Sequence, residues 1–171
     1  MLPEPLHPIV VHFPMALAAL LPLSAVVAVW AIHRGARAAY VWGVPLALAA
    51  LMTGSAWVAL ETGEAEEERV EAVVSEAAIH THEEAAERFL LFAGVLTLIA
   101  AAGLAKGTMG SAARILTTVG TVGVLAAGIQ VGYAGGELVY THGAAAAYVS
   151  SGGSGSASPA RHEERDERGE R

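Results

Sequence analysis

The sequence predicts an all-α integral membrane protein, a four-helix bundle with an extramembrane amphipathic acidic helix between its second and third spans. Three observations carry that expectation. Charged residues are scarce, 16% against 54% hydrophobic, with a mean hydropathy of +0.48; a water-soluble domain usually carries about 25% charged residues. The charges are also segregated, because residues 5–33, 38–60, 89–105 and 115–136 contain no Asp, Glu, Lys or Arg. Each stretch reaches or approaches the roughly 20 apolar residues that a helix needs to cross a bilayer. Finally, the 171-residue chain has no cysteine. That removes disulfide frameworks, thiolate-held iron–sulfur clusters, Cys-bound zinc and covalent haem attachment. A net charge of −7 argues against nucleic acid as a partner and against a polybasic membrane-surface binder.

The first span is expected at about 9–32, with Pro8 placed to start it and Pro14 and Pro22 inside it. Proline in a spanning helix frees a backbone carbonyl that neighbouring helices or water must satisfy. This stretch is too long for a signal-peptide core, and Glu4 stands where a positive leader would begin, so no cleaved leader is expected. The second span, 39–60, contains Pro45. Between 61 and 88 lies the one long polar segment. Its Val70, Val73, Val74, Ala77 and Ala78 recur at helical spacing against an acidic face, which predicts a surface helix leading into span three. Span three, 89–105, is short, about 26 Å at 1.5 Å per residue, with Lys106 able to snorkel. Span four is expected at 115–140. The spans make one domain, 1–148. The remaining 149–171, Ser/Gly-rich and then charged, reads as a disordered tail.

Orientation follows from the basic residues. Arg34 and Arg37 lie between spans one and two, Lys106 and Arg114 between three and four, with no acid beside either pair. The positive-inside rule then places both links in the cytoplasm of a plasma-membrane protein, with both termini and the acidic segment outside. Trp30, Trp42, Trp57, Tyr133 and Tyr140 fall near span ends and read as interfacial anchors.

This topology gathers five of the seven histidines at the outer end: His7 and His12 on span one, His80 and His82 before span three, and His142 after span four. Imidazole is the commonest neutral ligand for haem iron and for several divalent metals. Gly128 and Gly135 lie fourteen and seven residues before His142, almost in line down one helix face. Such a seam without side chains lets a flat macrocycle lie against backbone. His12 and His82 likewise stand above small-residue faces carrying Ala16 and Ala86. His80 and His82 point about 200° apart on one helix, so they do not share an ion. Gly128, Gly132 and Gly136 equally form a small-residue ridge suited to helix packing or to homo-oligomers. No nucleophile–base pattern or phosphate cradle is present, and a catalyst is not expected.

The segments LHPIVVHFPMAL (6–17) and GGELVYTHG (135–143) resemble the opening and closing signatures of an uncharacterised family of four-span bacterial and archaeal membrane proteins, a domain of unknown function. The resemblance covers the chain up to about Tyr148. Matching positions are His7, Pro8, His12, Phe13 and Pro14 at the start, and Gly136, Tyr140, His142 and Gly143 at the end. It implies a redox-associated membrane protein. After Gly143 this chain reads AAAA where a further glycine is more usual.

Three functional readings stand together. The first is non-covalent b-type haem at the outer face for single-electron transfer, ligated by two of His12, His82 and His142, with His7 in reserve and Gly128 and Gly135 backing the macrocycle. Its partners would be the lipid bilayer and a periplasmic electron carrier or quinol. The second is a divalent metal-ion site for binding or transport, drawing on His12, His80, His82 and His142 amid the acids. The third is an assembly subunit with no cofactor.

Overall fold

In the computed structural model the described residues are 6–149. They form eight helices: α1 (His7–Val10), α2 (His12–His33), α3 (Ala38–Val41), α4 (Gly43–Glu64), α5 (Glu67–Glu71), α6 (Glu76–Ala102), α7 (Gly107–Tyr140) and α8 (Ala146–Val149). Four helical segments, His7–His33, Ala38–Glu64, Glu76–Ala102 and Gly107–Tyr140, are long and apolar enough to span a membrane. The main contacts run α2–α4, α4–α6, α6–α7 and α7–α2. The four long helices therefore form a closed ring of neighbours, an up-down-up-down bundle.

Two short helices owe their ends to proline. A proline removes the hydrogen bond to the carbonyl four residues earlier and its ring crowds that carbonyl. Pro14 does this to Val10, the last residue of α1, and Pro45 does it to Val41, the last residue of α3. In both places the chain stays near helical and the following helix resumes at once, from Val11 and from Trp42. Spans one and two thus each begin with a hitched turn. Pro22 lies within α2 without ending it.

The bundle core is built from small residues. Ala18, Ala49, Ala56 and Ala93 surround Leu21, Met52, Phe89, Leu96 and Val124. In lipid there is little hydrophobic drive between helices, and small side chains let backbones approach closely. Large apolar side chains point outward instead, among them Leu20, Leu51, Leu98, Val119 and Ile129. A hydrogen bond of 2.9 Å between the Thr53 and Thr97 hydroxyls ties α4 to α6 within the bundle.

The acidic segment 61–88 is helical, but it divides between three elements rather than forming one surface helix. α4 carries on to Glu64, α5 is a single short piece, and an extended Ser75 separates it from α6. Residues 76–88 are the first half of α6, so span three is a continuous helix of 27 residues. Val74, Ile79, Leu138 and Ala144 form a second small cluster, which explains the break: the chain turns at Ser75 to bury Val74 and Ile79 together. α7 runs to Tyr140 as its pattern predicted. It stops before Gly143, whose φ of 74° is left-handed, while the Ala144 N–H reaches back to the Leu138 carbonyl.

Trp42 corrects the anchor reading. Its ring is fully buried, and its Nε1 donates to the Ala100 carbonyl at 2.8 Å. Room for it comes from Gly103, where a Cβ would lie 2.2 Å from that nitrogen. Trp30, Trp57, Tyr133 and Tyr140 are exposed, as interfacial anchors should be. Arg114 is also buried at this end; it donates to the Gly103 carbonyl at 2.6 Å and to Ser111 Oγ at 3.2 Å, capping the end of α6.

Gly103→Ala should therefore destabilise the bundle by roughly 1–3 kcal/mol through overpacking against Trp42. Gly94→Ala, on the same helix with nothing within 4 Å of the new Cβ, should be neutral or stabilising by up to about 1 kcal/mol. Thermal unfolding in detergent checks the contrast, and equal effects of the two would refute the packing argument.

Candidate functional site

The end of the bundle where α1 begins and α4 finishes carries the polar chemistry. His7 opens α1, and the proline hitch lays that turn against α4. Its Nδ1 lies 2.9 Å from the Ala59 carbonyl and 3.4 Å from Thr62 Oγ1. A carbonyl only accepts, so Nδ1 is the donor in this contact, which in a neutral imidazole leaves Nε2 as the acceptor nitrogen. Gly63 backs the ring; a Cβ there would stand 3.1 Å from His7 Cε1.

His82 comes from α6, one turn ahead of buried Ala85 and two turns ahead of buried Phe89, so it points into the bundle. Its Nδ1 is buried with no hydrogen-bond partner. Gly135 backs it as Gly63 backs His7, with a Cβ there 3.1 Å from His82 Cε1. The two imidazoles meet edge to face, with centroids 6.3 Å apart and planes at 87°. Each ring thus has a glycine behind it and the other ring before it.

The other sequence candidates lie elsewhere. His12 is exposed on α2. His80 is exposed and pairs with Glu84 at 3.6 Å on its own helix, where Glu84 also holds Arg88. His142 is exposed and lines a small cavity of about 80 Å³ with Thr81, Glu137 and Leu138. Of the sequence candidates, the reserve residue His7 is the one seen to meet His82. Gly135 does underlie an imidazole, that of His82 rather than His142. Gly128 is buried, where a Cβ would meet Phe89 and Met15, whereas Gly132 is exposed and nothing lies within 4 Å of a Cβ at Gly136. Among the described residues, no group of three or more His, Cys, Asp or Glu side chains is placed to hold a metal ion.

One residue that sequence reasoning passed over organises this end. Glu66, in the turn after α4, accepts from the Leu6 N–H at 2.9 Å and the His7 N–H at 3.4 Å through Oε1. Its other oxygen, Oε2, accepts from the Tyr148 hydroxyl, and Arg69 lies over the Tyr148 ring at 5.8 Å. One carboxylate thereby joins the first described turn of the chain, the acidic segment and the last. Nothing local marks Glu66 among its neighbours Glu64, Glu67 and Glu68; the partners are 60 and 82 residues away.

Burial first, then the hydrogen bond and charge of Glu66, push the Tyr148 phenol up to about 12, with Arg69 opposing. The protonated phenol is the neutral, bonded form, so this contact stabilises the fold fully below the ordinary tyrosine value near pH ~10. The contribution is lost as pH rises through about 12. Near-ultraviolet titration of phenolate, taken as the difference between the protein and Tyr148→Phe, should show that late step. Glu66→Gln should bring it part of the way back, burial remaining; an unshifted step in the unaltered protein would contradict the contact.

Set beside protein-family models, curated proteins and solved structures, the chain matches none of them.

Proposed function

We propose that this multi-pass membrane protein is a small electron carrier that holds b-type haem between His7 and His82. The adjacent imidazoles of those two residues carry the reading. A metal held between two imidazoles would take one ring nitrogen from each at about 2 Å, which would set the ring centroids roughly 6 Å apart. The observed centroid separation of 6.3 Å is compatible with that span. His7 Nδ1 is engaged by a backbone carbonyl, the outer-sphere contact that fixes the tautomer of a ligating imidazole. His82 has a buried nitrogen with nothing bonded to it, and a buried polar atom of that kind calls for a partner.

The number of donors favours a porphyrin over a bare ion. A structural zinc site usually takes four protein ligands and a catalytic one three. Here the two imidazoles have no third such side chain beside them among the described residues. A macrocycle brings four nitrogens of its own, so two imidazoles complete its coordination. When bound, the group would supply reversible one-electron chemistry. The protein's own part is to orient both rings, back them with glycine and exclude water from the inner side. Its location would be the plasma membrane with both termini outside, exchanging electrons with a quinol in the bilayer or a periplasmic carrier. Support for that orientation is the basic pairs Arg34/Arg37 and Lys106/Arg114 at the opposite end of the bundle from the acids.

An absorption spectrum of the protein purified in detergent, with and without dithionite, tests the reading. A Soret band and a sharpened reduced α-band are expected, lost in His7→Ala and His82→Ala and kept in His12→Ala and His142→Ala. Colourless protein from haem-replete cells would overturn the haem reading. Metal analysis of that same sample then decides whether the pair holds a divalent ion. Loss of the bands in His142→Ala but not in His7→Ala would overturn the ligand assignment.

A further inference from the structure

We propose that Glu66 is the positioning residue of the imidazole pair, its carboxylate tying the start of α1 to Tyr148 in the last described turn. This rests on the reading of His7 and His82 as a ligand pair, and it concerns what keeps that pair in register. His7 belongs to a helix of only four residues, too short to hold itself by its own backbone bonds. Pro14 removes the backbone bond to Val10, so α1 is held to α2 by fewer backbone bonds than an unbroken helix would have. Two fixtures are present. One is the ring's own bond to the Ala59 carbonyl; the other is Glu66, which binds the two N–H groups at the start of α1. Those are orphan donors of a helix terminus, with no capping side chain from α1 itself.

A carboxylate is suited to this work because both its oxygens accept and its charge strengthens each bond. Oε1 takes the α1 terminus while Oε2 takes the Tyr148 hydroxyl. The side chain must span both partners at once, so its length matters as well as its charge. Glu66→Asp keeps the charge but is one methylene short, and should release one partner. Glu66→Gln keeps the length and one carbonyl oxygen, so its α1 contact should persist. The Glu66 carboxylate does not itself touch either imidazole ring; it acts through the backbone of α1.

Histidine ¹⁵N spectra of the full-length protein in detergent, with His7→Gln and His82→Gln for assignment, test the proposal without any cofactor. Glu66→Asp and Glu66→Ala should move the His7 lines away from the fixed Nδ1–H form and shift those of His82. Glu66→Gln should leave His7 close to the unaltered protein, and the His80 and His142 lines should stay put in all three. Unchanged His7 lines in Glu66→Asp would overturn the proposal, and that variant decides alone if Glu66→Ala does not fold. Histidine lines that all move together would also overturn it, since they would report a general loss of fold. Where the unaltered protein binds added haem, Glu66→Asp should weaken that binding about tenfold, the usual range for a supporting partner. Where it binds none, the haem reading fails while the imidazole lines still settle the role of Glu66.

Discussion

A helix in lipid has no water to satisfy its backbone and no hydrophobic drive toward its neighbours, so close approach is the constraint on which this fold rests. Alanine at 18, 49, 56 and 93 provides that approach. Once the backbones are near, a few larger groups fill what remains: Met52 and Phe89 in the middle, Trp42 beside Gly103 at one end. Glycine is used where a ring must fit. Gly103 admits the Trp42 indole, Gly128 the Phe89 ring, Gly63 the His7 imidazole and Gly135 the His82 imidazole. The same device that packs the core also seats the two histidines.

The prolines then decide which histidine is seated. Pro8 opens α1 and Pro14 breaks its backbone bond to Val10, so α1 is a separate four-residue turn that stays near helical at Val11. That turn lies along the end of α4, and His7 gains the Ala59 carbonyl there. His12, beyond the hitch, is carried by α2 and stays exposed. Without Pro14 the two histidines would ride one regular helix, five residues apart and well round its circumference from each other.

These relations explain what could be read from the sequence and what could not. The spans were legible because segregation of charge is a property of the chain itself, and the helical span ends at His33, Glu64 and Tyr140 lie within a few residues of the expected limits. The gathering of histidines at one end followed from topology. Choosing among them did not, since it turned on the rotation of α1 and on which face of α6 is buried. His82 was accessible in part: it stands seven residues before Phe89, and the buried row Ala85, Phe89, Ala93, Leu96 and Ala100 defines its face. Trp42 was misread because an aromatic near a span end is interfacial on average, and Gly103, its partner, sits 61 residues away. Glu66 was hidden among look-alike acids. Contacts across such separations leave no local pattern.

The two ends of the bundle are closed by different physics, and that difference favours the histidine end as the working one. At the Trp42 end, Trp42 and Arg114 are buried and donate hydrogen bonds to backbone carbonyls and a serine hydroxyl. Those groups cap helices and fill space, and they present nothing to a ligand. At the other end the polar groups are half buried, one imidazole nitrogen is unpartnered and the carboxylates crowd the rim. A charge placed between His7 and His82 would feel two opposed influences. Burial on the bundle side disfavours added charge, and the acids on the solvent side favour a cation. Exposed carboxylates are screened over about 8 Å at physiological salt, whereas the apolar side is not. Burial should therefore outweigh the rim in setting how readily the pair tolerates a positive centre, and the acids should act chiefly on what approaches from outside.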